Sequence, residues 1–181
     1  MTHENQYLGR LLAAWTHMRR DDRAPAYGDL RPEALRFILP DICLIDVPQE
    51  GDYRFRLVGT GIVERLPKDP TGEPLNVLST QTANALTDLF APTVARSVPM
   101  AATGRLMFGN ADRVLDALCL PLTGATGAIS ILLVGIEFRP WSDVKIEPPL
   151  GEIEVWEVET GALPMSGAPD TPASRRGKAA C

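Results

Sequence analysis

The sequence predicts an α+β domain: an antiparallel sheet of about five strands, helices over one face, and an amphipathic helix at the N-terminus. Tyr53 to Val58 sets Tyr53, Phe55 and Leu57 in alternation with Arg54 and Arg56, the period-two pattern of a half-buried strand. Met100 to Ile136 reads as three strands joined by short glycine-containing links, which connect antiparallel neighbours. Tyr7 to Met18 and Ala83 to Val94 repeat apolar residues at three- and four-residue steps, the period of a helix.

Taken in order, Tyr7, Leu8, Leu11, Leu12, Trp15 and Met18 share one stripe of a helix from about Gln6 to Arg19, ended before Pro25. Such a stripe most often covers its own core; a homodimer contact is the alternative. Asp29 to Glu33 opens a second helix that runs through Leu35 and Phe37 and stops at Pro40. Ile42 to Val47 is an apolar strand, Glu50-Gly51-Asp52 is turn chemistry, and the Tyr53 strand completes a hairpin. Gly59 permits a sharp exit, Thr60 is placed to cap a short helix with Ile62, Val63 and Leu66 inward, and Asp69-Pro70-Thr71-Gly72 has the form of a type I turn.

Beyond a connector at Leu75 to Leu78, the helix carrying Ala83, Leu86, Phe90 and Val94 reaches Ser97, with Pro92 set to kink or restart it. The strands Met100 to Phe108, Arg113 to Pro121 and Ala128 to Ile136 follow, turned at Gly109-Asn110 and Thr123 to Gly127. Glu152 to Glu159 is acidic with an apolar residue at every other position for part of its length, as an edge strand, a partner-binding segment or a segment that merely packs on the domain would be. These elements divide the chain into an N-terminal extension (1–24), the α+β domain (25–138), an acidic extension (139–160) and a Gly-, Pro-, Ala- and Ser-rich tail (161–181) expected to be mobile.

Leu39-Pro40, Leu44-Ile45-Asp46-Val47, Phe55-Arg56-Leu57-Val58-Gly59-Thr60, Thr71-Gly72 and Leu120-Pro121-Leu122, in that order, resemble a family of PAS-type domains found mainly in alphaproteobacteria. The resemblance covers Trp15 to Glu137. It implies a PAS fold with, in many relatives, a small-molecule or partner site between sheet and helices. It implies no particular chemistry, because one fold hosts many functions. Relatives that hold haem or bond flavin use a helix histidine or cysteine; neither Thr82 to Ser97 nor the helix after Thr60 has one, so no cofactor is expected. His17 folding over the sheet is the one remaining route to a haem ligand.

The 181 residues suffice for one domain with a sizeable core. With 18 basic and 23 acidic residues the net charge is −5, against a general nucleic-acid or anionic-membrane surface. No stretch has the apolar length of a membrane helix, and residues 1–6 lack signal-peptide character. Cys43, Cys119 and Cys181 lack metal-ligand spacing and fit a reducing cytoplasm. His3 and His17 are the sole histidines, which argues against a histidine-based metal site or nucleophile.

The candidate ligand-binding residues are Arg56, with Tyr53, Phe55 and Thr60 nearest it along the chain, and Arg105. A strand arginine facing the helices can fork onto a carboxylate or phosphate. The plainer alternative is an outer-face ion pair with Asp46, Asp52 or Asp116. One enzyme reading survives, with Asp46 as a proton-transfer base in an apolar pocket, but no partner acid or tyrosine is placed beside it. The expectation is a stand-alone regulatory module, not an enzyme, that binds a small molecule, a protein partner or both; a ligand-free adaptor or dimerisation domain is the alternative.

Overall fold

The computed structural model describes residues 6–21, 23–140 and 148–160; His3, Cys181 and the tail expected over 161–181 lie outside them. The helices are α1 (Gln6–Met18), α2 (Pro32–Leu35), α3 (Thr60–Val63) and α4 (Thr80–Arg96). The strands are β1 (Ile42–Asp46), β2 (Arg54–Val58), β3 (Met100–Phe108), β4 (Ala111–Thr123), β5 (Ile129–Arg139) and β6 (Ile153–Glu157). They form one sheet in the order β2-β1-β5-β4-β3-β6, and every pair is antiparallel.

Local chemistry explains the connections. Phe108 pairs with Ala111 across Gly109-Asn110, and Gly109 has φ 62°, the glycine-first geometry of a type II′ hairpin. The β2 to β3 link needs α3 and α4, because those strands lie four places apart in the sheet. Ser79 caps α4 by accepting from the Thr82 amide at 3.2 Å. Pro92 does not interrupt α4, contrary to expectation: the helix runs on to Arg96, and the Thr93 hydroxyl donates to the Leu89 carbonyl at 2.9 Å.

Alternation along the strands sends side chains to two cores. Cys43, Ile45, Leu115, Cys119, Leu132 and Val134 face α3 and α4, where Ile62, Leu86, Leu89 and Phe90 pack on them. Leu44, Leu118, Leu120, Leu122, Ile131 and Leu133 face α1 and α2. The α1 stripe therefore covers its own sheet, with Leu8, Leu11, Leu12 and Trp15 buried and the Trp15 Nε1 donating to the Pro121 carbonyl at 2.9 Å. Gly135 makes the close approach: a Cβ there would lie 2.5 Å from Leu11 Cδ2 and 2.9 Å from Leu8 Cδ2.

Three local readings change. Leu44 pairs with Leu57 but Ile45 pairs with Phe55, so Arg56 is the extra residue of a β-bulge. The bulge reverses parity, and Leu57, expected inward, is 43% exposed while Val58 is buried. The cap of α3 is Gly59 rather than Thr60, with Thr60 the first helical residue, and a Cβ at 59 would collide with the Pro40 carbonyl oxygen. The turn before Glu73 is shifted by one residue: the Glu73 amide donates to the Pro70 carbonyl at 2.9 Å and Gly72 has φ 84°, as type II requires.

Candidate functional site

The layer between the sheet and α3–α4 is the first place to look. Phe55 is buried there, and Tyr53 at its rim meets Phe90 edge-to-face with ring centroids 5.3 Å apart. Leu89, Phe90, Leu106, Cys119 and Leu132 are each 1% exposed or less, so the chain's own side chains pack this layer. Burial raises the Tyr53 hydroxyl above its ordinary value, helped by the proximity of Cys119. It pushes the Cys43 and Cys119 thiols up to about 12, against hydrogen bonds from the Gly59 backbone and Thr93 respectively. Both thiols flank Val134, two strand spacings apart, about 10 Å and too far for a disulfide.

The candidate arginines lie on the other face. Asp46 shares the side of Leu44, and the bulge brings the Arg56 Nε to 2.6 Å from Asp46 Oδ1 and its guanidinium to 5.5 Å from the Tyr27 ring centroid. The Asp46 bond raises the already high pKa of Arg56. Arg105 alternates with the inward Leu106 and donates through Nε to Asp112 Oδ2 at 2.5 Å, which holds the Asp112 carboxyl below its ordinary range. Arg56 and Arg105 stand four strand spacings apart, about 19 Å. Thr60 is exposed at the start of α3. The structure thus brings together Tyr53 and Phe55 alone of the five candidates. Asp46, half-exposed in its ion pair, does not occupy an apolar pocket. His17 is exposed, its Nδ1 2.8 Å from the Ala13 carbonyl, and points away from the core.

A second region was not legible from sequence. β1 ends its pairing at Ile42 with Gly135, so among the described residues no strand pairs with β5 beyond Gly135 on that side. An open cleft of about 290 Å³ lies beside that end of β5, lined by Tyr7, Phe37, Asp41, Arg65, Glu137 and Phe138 among others. Arg65 donates to the Gly61 carbonyl and stacks over Phe138, 4.5 Å from the ring centroid. Burial raises the Asp41 carboxyl above its ordinary value, opposed by Arg65 and reinforced by Glu64. Its polar lining comes from α1, the turn before β1, the end of α3 and β5, segments far apart in sequence. Among the described residues no group of three or more His, Cys, Asp or Glu is placed to hold a metal ion.

The chain matches the PAS domain family over residues 1–136, and it belongs to that family. The six-stranded antiparallel sheet with its helices is an α+β PAS-like fold. No curated protein matches the sequence. Similar solved structures include a light-oxygen-voltage domain studied with a flavin analogue, at 11% identity and TM-score 0.49, covering 61% of this chain and 84% of that one. A PAS domain from Colwellia psychrerythraea has 16% identity and TM-score 0.46, with 60% and 93% covered. The light state of the blue-light photoreceptor Aureochrome1 LOV has 11% identity and TM-score 0.46, with 61% and 89% covered.

Proposed function

We infer that this PAS domain is a regulatory module that acts by contact with another protein and carries out no chemistry of its own. The packing of the inner layer by the chain's own side chains supports this reading, since Leu89, Phe90 and Cys119 occupy the space between sheet and helix. The paired arginines agree with it: Arg56 and Arg105 answer carboxylates of the chain itself and hold the sheet surface in shape. Two buried cysteines, Cys43 and Cys119, that are free of any disulfide suit a reducing compartment, which favours the cytoplasm. Among the described residues no helix is long and apolar enough to cross a membrane.

The cleft at the end of β5 favours a second reading, a sensor of small molecules. Its aromatic walls, its charged pair Asp41 and Arg65 and its volume of about 290 Å³ suit a compact ligand with an apolar body and a polar head. Bound ligand would act only through differential affinity for two arrangements of the domain. Native mass spectrometry of freshly purified protein, compared with the denatured mass, separates the two. The contact reading predicts the polypeptide mass or a multiple of it, whereas a component of a few hundred daltons lost on denaturation would transfer the function to the cleft.

A further inference from the structure

We propose that the outer edge of β6 is a docking site for an extended segment of a partner protein with lysine or arginine at alternate positions, which adds to the sheet as a seventh strand. The proposal rests on the contact reading and names the partner's chemistry. β6 pairs with β3 from Gly104–Ile153 to Met100–Glu157, and the Val158 amide donates to the Pro99 carbonyl at 3.0 Å. Backbone groups alternate sides along a strand, so the N–H and C=O of Ile153, Val155 and Glu157 point away from β3. Among the described residues no segment pairs with them.

The opposite edge of the sheet is treated differently. There the Phe55 amide donates to the Glu73 carbonyl at 2.9 Å, the Gly72 amide to the Phe55 carbonyl at 2.6 Å, and the Leu75 amide to the Tyr53 carbonyl at 2.9 Å. The segment after α3 thus closes β2, while among the described residues no segment covers β6, whose edge is guarded only by its glutamates. An open edge of this kind accepts a strand through main-chain hydrogen bonds.

Charge selects the occupant. Gly151 to Thr160 contains Glu152, Glu154, Glu157 and Glu159 and no basic residue. Arg96 of α4 pairs with Glu157, which leaves the other three exposed on the strand and its flanks. A second copy of β6 would set these acids against their own equivalents, and like charges directly opposite are unfavourable. A strand with alternate lysines or arginines meets them with the opposite sign.

The test uses the full chain and two labelled synthetic peptides, one alternating lysine with valine and one alternating glutamate with valine. The proposal predicts saturable binding of the lysine peptide in fluorescence anisotropy, with the glutamate peptide at least tenfold weaker. Amide exchange should slow at Ile153, Val155 and Glu157 in the complex, while Glu154 and Trp156, already bonded to β3, change little. Val155→Pro removes an outward N–H and leaves the β3 ladder intact, so it should weaken binding at least tenfold. Equal binding of both peptides, protection elsewhere in the chain or no saturable binding overturns the proposal. So does a dimer that protects the same three amides, or binding that appears only when residues 161–181 are deleted. Failure here leaves the contact reading standing on another surface, because the mass measurement decides that reading independently.

Discussion

The contact of α1 with Gly135 can be tested by a double-mutant cycle. Gly135 lies on β5 between Ile42 and Leu118, and an added methyl would stand 2.5 Å from Leu11 Cδ2. Overpacking of a close-packed core costs about 1–3 kcal/mol, so Gly135→Ala should destabilise by about 2 kcal/mol. Leu11 is fully buried in the same cluster, and Leu11→Ala should cost about 3 kcal/mol through lost burial and the cavity left behind. Independent effects would sum to about 5 kcal/mol. The two are not independent here, since deleting Leu11's δ carbons removes the nearer of the two clashes at position 135 and leaves only Leu8 Cδ2 at 2.9 Å. The double variant should therefore lie within about 1 kcal/mol of Leu11→Ala alone, a coupling of about 1–2 kcal/mol. Urea unfolding followed by tryptophan fluorescence and far-UV circular dichroism measures all four corners of the cycle. Additive losses, with coupling below about 0.5 kcal/mol, would refute the docking of α1 on this strand.

Gly104→Ala would drive a methyl into the Glu152 carbonyl oxygen and bring it to 2.8 Å from the Ile153 Cα, both on the facing backbone, so β6 should detach. Loss of exchange protection at Glu154 and Trp156, with β4 and β5 unchanged, is the readout. Asp112 is held below its ordinary value by Arg105, so its stabilisation is full above the unfolded carboxylate value and is lost as pH falls through the folded one. In Arg105→Gln, the carbon-detected titration of Asp112 should move up to the ordinary range, and acid unfolding should depend less steeply on pH. Cys43 and Cys119, pushed up to about 12, should resist thiol reagents near pH 8 in native protein and react after denaturation, as peptide mapping would record.

Much of the fold was written in local pattern. The stripe from Leu8 to Trp15 specified α1 and its buried face, and glycine at 109 marked the β3–β4 hairpin, while the acid–apolar alternation of Glu152 to Glu159 left an edge strand as one of three readings. The error at Leu57 has a definite origin: the bulge at Arg56 depends on how β2 meets β1, and a one-residue insertion flips every side chain beyond it. The same event carries Arg56 to Asp46 on the face away from α4. Gly59 and Gly135 look alike in sequence, but only the packed structure shows that one accommodates Pro40 and the other Leu11. The cleft of Tyr7, Asp41, Arg65 and Glu137 drew on four separated segments, with no spacing to announce it.

The contact reading depends most on what occupies the inner layer. Nuclear Overhauser spectroscopy on labelled protein taken directly from cells reports on it through the rings of Tyr53 and Phe90, 5.3 Å apart at their centroids. The account predicts strong cross-peaks between the two rings and from Phe90 to its neighbours in the layer. Rings separated by a bound compound, with cross-peaks to that compound in place of each other, would contradict it.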